Sequence, residues 1–404
     1  MVVIKKKYIN SVLELGIIFF LYMYMFLSQF SFPINTTIFM YAMIGLGLFL
    51  LLVKHILYIN IPFILMGMMT IISGIGLIYT SNSDMGMREV IIFIVMIIFL
   101  GMNEIDIEIN KKIKKAIFIG ALLSVVGIYL QFILQNSFNL VMMGILKPDG
   151  YENLIKAFTV GAYAGFNAYT SDAAFFSAIV FGKNIMPLVG LDKQNNKLIF
   201  NIVLAGLALF AVFLTSKRGI LVGMSLALLI TIILIKKLSV NMFRNVILAI
   251  TIILGAIIIM YSTNDVAQGF LNRFLVANNG DITSGRIDMY ETAIDNFLVG
   301  NILIGLGTGA TYSLYSAGLH NIYLQLIYDH GILGMIPYTI FFIWNLGRAY
   351  IAKNGKSIYI QGLFLVYGLF GNPLFSNIIF MTYLASIAGV NTKYQNIIKE
   401  RLSR

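Results

Sequence analysis

Apolar runs of roughly 17 to 25 residues recur along almost the entire chain, each long enough to cross about 30 Å of hydrocarbon as a helix. Of the 404 residues, 59% are hydrophobic and 11% are charged, against about a quarter charged in ordinary soluble domains. No water-soluble globule can be arranged from such a composition. The pattern predicts an all-α polytopic membrane protein. Its helices are expected near 9–31, 36–53, 57–79, 89–102, 115–135, 168–183, 198–215, 219–236, 245–262, 321–345, 357–370 and 373–390. The sixth is interrupted by Gly161-Ala162-Tyr163-Ala164-Gly165 and Asp172, so 157–190 reads partly as a re-entrant or broken segment, and the path of 136–197 stays open.

Lysine and arginine set orientation through the loops they occupy. With the amino terminus inside, the cytoplasmic segments hold 21 of the 28 basic residues. Among these are Lys111, Lys112, Lys114, Lys115, Lys183, Lys236, Arg348 and Lys356. The outer segments keep Arg88, Lys147, Lys156, Lys217, Arg218, Arg273 and Arg286. Both termini are therefore expected in the cytoplasm. The same sorting accounts for the net charge of +11 without a nucleic-acid partner, since no basic domain carries it. Lys111-Lys112-Ile113-Lys114-Lys115 reads mainly as an orientation signal, with contact to anionic headgroups of membrane lipids as the alternative. Lys5 to Lys7 precede an apolar run too long for a cleaved signal peptide, which reads as a retained signal anchor.

The chain contains no cysteine, which excludes disulfides, thiolate nucleophiles and sulfur-ligated metals. Of the three histidines, His320 and His330 are ten positions apart, about 15 Å along a continuous helix, so a shared metal is not expected, and His55 is remote in sequence. No H-E-x-x-H, Walker A or glycine-rich dinucleotide signature is present. Neither a metal nor a cofactor is expected.

Chemistry then falls to the outer face, in the turn at 215–219 and the long exterior segment 262–320. One membrane domain thus divides into helices one to nine (1–261), a loop carrying part of the site (262–320), and helices ten to twelve with a cytoplasmic tail (321–404). Thr283-Ser284-Gly285 reads as a helix start, and Ile287, Tyr290, Ile294 and Phe297 follow at helical spacing. This predicts an amphipathic interfacial helix with Arg286 in its first turn, where guanidinium and helix terminus together favour an anion. The plain alternative pairs Arg286 with Asp281 or with a later carboxylate of its own helix. Gly305-Leu306-Gly307-Thr308-Gly309 permits close backbone approach to a ligand, or simply a turn. Tyr312 and Tyr315 suit sugar stacking or an interfacial belt. His320 is the candidate general base, because its pKa lies near neutrality. Asn321 could orient it or cap the next helix. Asp329-His330-Gly331-Ile332-Leu333-Gly334 interrupts that helix about two and a half turns down.

In order, T-S-K-R-G at 215–219, G-R at 285–286, G-L-G at 305–307, H-N-x-Y-L at 320–324 and D-H-G-I-L-G at 329–334 resemble the O-antigen ligase and O-antigen polymerase superfamily of bacterial surface-glycan enzymes. The resemblance is specific from roughly 205 to 345. It implies a fold related to the third structural class of lipid-dependent glycosyltransferases, in the bacterial inner membrane, acting at the outer leaflet without a metal. It also implies that Arg218 and Arg286 engage the diphosphate of an undecaprenyl-linked oligosaccharide donor, with His320 beside the acceptor. Asp329 departs from the Glu common at its position.

Independently of the resemblance, guanidinium forks bind diphosphate oxygens in bidentate fashion, which suits a leaving group that departs with accumulating negative charge. His320 would accept, or orient, the proton of the attacking hydroxyl, with inversion at the anomeric carbon. Lys217 and Arg273 divide evenly between site and scaffold. Polymerase and ligase differ in acceptor. The Lys-, Ile- and Met-rich composition points to an AT-rich genome and nothing marks a lipid A core or protein acceptor, so polymerisation of repeat units is the expected activity, with ligation as the alternative and a chain-length regulator as a further candidate partner. A flippase would instead place ionisable residues along an internal pathway, where the candidates are Glu14, Asp172, Asp329 and His330. A receptor would show an exposed apolar patch on the outer loop.

Overall fold

The computed structural model describes residues 2–27, 37–54, 59–105, 107–167, 169–191, 198–235, 286–316, 318–388 and 390. All regular structure among them is helical: α1 (Val2–Leu27), α2 (Thr37–Lys54), α3 (Ile61–Gly76), α4 (Ser83–Ile105), α5 (Ile107–Leu134), α6 (Asn136–Met143), α7 (Pro148–Thr159), α8 (Thr170–Leu188), α9 (Leu198–Leu214), α10 (Arg218–Ile235), α11 (Arg286–Val299), α12 (Thr311–Leu314), α13 (Ile322–Ile351), α14 (Gly355–Tyr367) and α15 (Asn377–Ile387). A single 3-10 turn, Pro373–Phe375, precedes α15. Five helices, α1, α4, α5, α10 and α13, are long and apolar enough to cross a membrane, and α2, α3, α9 and α15 contain shorter apolar stretches. This all-helical architecture is consistent with a polytopic membrane protein. Each sequence-predicted segment has a helical counterpart except the ninth, 245–262, which lies outside the described residues.

Two boundaries differ from expectation with consequences. Asn82 accepts a hydrogen bond from the Met85 amide at 3.2 Å, so α4 starts six residues early and carries Glu89 nearly two turns inside. Helix α5 starts at Ile107, so the 111–115 lysines ride on a helix and not in a loop. The open stretch after α5 resolves into α6, α7, a non-helical passage with Gly161 and Gly165 at positive φ, and then α8. That passage is tied down where the Tyr163 amide donates to the Leu214 carbonyl at 2.9 Å and the Gly165 amide to Gln131 Oε1 at 2.8 Å.

The interior is aromatic. Phe341, Phe364, Phe380 and Tyr383 are fully buried and linked by ring contacts, and Phe93 joins buried Tyr338 to Phe380. Outward faces stay apolar: Leu15, Ile71, Ile199 and Ile343 are 64% to 78% exposed, a pattern suited to lipid and not to water. Small residues bring α10 and α14 together, with a Cβ at Gly362 reaching 3.3 Å from Ala227, the close approach by which helices associate where lipid removes the hydrophobic drive.

Residues 301–311 form a strap across the break in α13. Gly331 has φ 68 and ψ −174 and interrupts the helix. The orphaned groups on either side are met by the strap: the Leu306 and Gly307 amides donate to the Tyr328 and Asp329 carbonyls, and the Ile332 and Leu333 amides donate to Ile302 and Leu303. The glycines of 305–309 therefore serve close approach to protein backbone. All three have positive φ, and a Cβ on Gly305 would meet the Gly331 nitrogen at 2.5 Å, one on Gly307 the Thr80 Cα at 2.6 Å. Thr308 docks on the end of α3, donating through its amide to Gly76 and through its hydroxyl to Ser73. Asp329 holds the far end, accepting from the Thr311 amide at 2.8 Å and hydroxyl at 2.6 Å.

The left-handed conformation alone disfavours a side chain by about 1–2 kcal/mol, and the backbone clash adds to it. Gly305→Ala and Gly307→Ala are expected to lower the thermal unfolding temperature of detergent-purified protein, followed by monodispersity after heating. Gly74→Ala, on α3 with open space around its Cβ, should leave it unchanged or slightly raised.

Candidate functional site

The turn at Gly368 to Asn372, between α14 and the 3-10 turn, gathers the chain segments that carry the candidate residues. Phe370 lies over Gly219, where a Cβ would come within 2.6 Å of the Phe370 Cβ, so the glycine after Arg218 allows the start of α10 to meet this turn. The Phe370 carbonyl accepts a hydrogen bond from Arg286 Nη1 at 3.2 Å. The Gly368 carbonyl accepts from the Ile322 amide at 2.9 Å, which fixes the start of α13 and the His320-Asn321 pair before it. Gly318, at φ 69, leaves room for Asn372 and Gln325, whose side chains come within 2.9 Å of where its Cβ would stand.

Helix α11 presents Arg286 by packing one face inward. Tyr290, Ala293 and Phe297 follow Arg286 at spacings of four, three and four, and they pack against Ala310, Leu319 and Tyr328. The expected face is corrected in part, because Ile287 and Ile294 stay 52% and 42% exposed. Among the described residues, no carboxylate forms an ion pair with Arg286; Asp281 lies outside them, as do Thr283-Ser284-Gly285 and Arg273.

His320 has φ 52 and Ser216, in the facing turn, φ 56, two non-glycine residues in left-handed backbone. Such conformations are sparsely populated and concentrate at functional positions. His320 is half-buried. Its imidazole pKa is held below the ordinary value first by burial, then by the positive charges of Arg286 and Lys217. The ring is therefore neutral at neutral pH and can accept a proton. Lys217 also stands within electrostatic range of Asp172, in the first turn of α8, and Asp172 and Arg286 both act on Tyr367.

The structure thus brings Lys217, Arg286 and His320 together, with Arg218 opening α10 beside them. Asn321 acts as the cap, its side-chain oxygen accepting from the Tyr323 and Leu324 amides at 3.1 Å. Tyr315 packs into the small cluster around Ala293 and Leu319. Tyr312 lies against Gln325, with burial raising its hydroxyl pKa. Sequence reasoning missed Tyr367, which hydrogen-bonds with Ser171 and lies within range of Asp172 and Arg286, and read Asp172 as part of a broken segment and a possible intramembrane charge. It also missed that His330 Nε2 lies 2.8 Å from Glu89 Oε1, a buried pair stacked on Tyr338.

Residues 203–339 match the family model described as O-antigen ligase. The matched stretch runs from α9 into α13 and includes Lys217, Arg218, Arg286 and His320. It supports the O-antigen polymerase and ligase superfamily and, with the apolar helices, a membrane glycosyltransferase of polysaccharide biosynthesis. A search of curated proteins finds no match to the chain.

In histidine-labelled protein, the resonance lost in His320→Gln is expected to titrate below the ordinary imidazole range. Lys217→Met and Arg286→Met should each move that midpoint upward, because each removes a positive charge that disfavours the imidazolium. An unmoved midpoint in both variants would separate His320 from these cations.

Proposed function

From the match to O-antigen ligases over residues 203–339, we propose that this chain is a polymerase of undecaprenyl-diphosphate-linked oligosaccharide repeat units at the outer face of the bacterial inner membrane. The observation that carries it is the convergence of Arg286, Lys217 and a neutral His320 at the Phe370 turn. Arg286 and Arg218 hold the diphosphate of the donor, and Lys217 adds a third cation. The acceptor hydroxyl attacks the anomeric carbon and its proton passes to His320. The bond from that carbon to the diphosphate oxygen breaks, and undecaprenyl diphosphate departs with the electron pair. Cations fixed where charge accumulates in the transition state are the largest single term in such transfers.

Sidedness supports the reading. Lys111, Lys114, Lys115, Lys183 and Lys356 lie around the start of α5, the end of α8 and the start of α14, whereas Asp172, Lys217 and the Phe370 turn lie at the other ends of this helix set. That is the division expected of a protein whose lysine-rich end faces the cytoplasm. Two of the four ionisable groups named for a flippase are engaged otherwise: Asp329 anchors the strap and His330 pairs with Glu89. Ligation to a different acceptor is the second reading, favoured by the match to a family of O-antigen ligases.

Purified protein in lipid, given a synthetic undecaprenyl-diphosphate repeat unit, tests all three. A ladder of longer products is expected; transfer only to an added acceptor would assign ligation, and translocation without new bonds a flippase. Arg286→Ala and Arg218→Ala should each reduce elongation by about 10²–10³-fold at unchanged expression. Normal elongation in either variant removes that arginine from the site.

A further inference from the structure

At the end of the helix set opposite the candidate site, a cavity of about 400 Å³ is lined by Lys111, Lys114, Lys115, Lys183 and Lys356. Eleven residues of α8 separate Lys183 from Asp172, about 16 Å of helical rise. The described residues lining the cavity include neither Asp nor Glu. Orientation in a membrane explains why lysines sit at this end. It does not explain why lysines from α5, α8 and α14 converge on one cavity, where like charges repel, when each could extend separately to the headgroups.

Their contacts divide them. Lys111, at the rim, is paired with Glu108 at 2.6 Å. Lys114 donates to the Ala388 carbonyl at 2.9 Å, and Lys183 rests over the Phe118 ring, 3.1 Å from its centroid. Neither contact neutralises an ammonium charge. Lys356, in the first turn of α14, lies within electrostatic range of both, so three cations face one another. Ile117, Phe118, Ile179, Met186 and Ile360 give the cavity an apolar wall, beside Ser357, Thr382 and Ser386. A cationic pole beside an apolar wall, in a volume within the range of small-molecule sites, matches an anionic head carrying a hydrocarbon chain.

We propose that this cavity binds a phosphate-bearing amphiphile, its phosphate held by Lys114, Lys183 and Lys356 and its chain laid along the apolar wall. The site is separate from the diphosphate grip proposed at the Phe370 turn and does not depend on it. Charge attraction draws the head in.

The test uses delipidated full-length protein in a neutral detergent, with thermal unfolding and native mass spectrometry as readouts and no glycan substrate. Phosphatidylglycerol should stabilise the protein and be retained, and phosphatidylcholine should do neither. Lys356→Gln and Lys115→Gln, both exposed and expected to fold, should each weaken the effect about fivefold, the factor corresponding to roughly 1 kcal/mol per basic residue near an anionic surface. Lys112→Gln, on the same helix but outside the cavity, should change nothing. Protection by inorganic phosphate or pyrophosphate equal to that of the lipid would overturn the amphiphile as occupant and assign a soluble phosphate compound instead. Equal protection by phosphatidylcholine, or a loss in Lys112→Gln as large as in Lys356→Gln, overturns the proposal.

Discussion

The carbonyls of Gly368 and Phe370 hold together parts of the chain that are far apart in sequence. One accepts the first amide of α13 and the other accepts Arg286, while the Phe370 ring seats on Gly219. In an interior where an unmet polar group costs several kcal/mol, such carbonyls need donors. A guanidinium placed by the packing of α11 is one of few that can reach. The same bond therefore satisfies the turn and aims Arg286, and the position of His320 follows from the bond beside it. A membrane protein with a site at a helix-rich surface has few ways to fix long side chains, and here backbone acceptors do so.

The membrane class, most helix positions and the break at Gly331 were legible, because apolar run length and a glycine inside an apolar helix are local signals. Local signals also led to Arg286, at the start of an amphipathic segment, and to His320, ahead of a helix. What could not be read was who meets whom. The Phe370 carbonyl is a backbone atom in what reads as a short gap between two spans, and no side chain marks it. Glu89 looked like the edge of a helix until Asn82 was seen to start α4 earlier. Lys217 looked divided between site and scaffold, and only its position relative to His320 and Asp172 joins it to the cluster.

Asn321 and the 305–309 glycines carry a related lesson. Both offer chemistry a ligand would use, an amide and exposed backbone, and in both the structure gives that chemistry to the protein itself. A polar or glycine-rich motif beside a helix start is as readily part of the frame as part of the site. Lys111 to Lys115 show the reverse. Read as an orientation signal, part of that run lines a cavity together with residues 70 and 240 positions further along, a convergence no linear pattern records.

The strap over α13 is held at several points along its length. Four backbone hydrogen bonds stitch residues 302–307 to the interrupted helix, and a fifth ties Thr308 to α3. Lifting the strap would break all five of those bonds at once. It is a fixed wall and not a hinged lid. Any movement in this part of the molecule has to come from segments that are not sewn to the helix they cover.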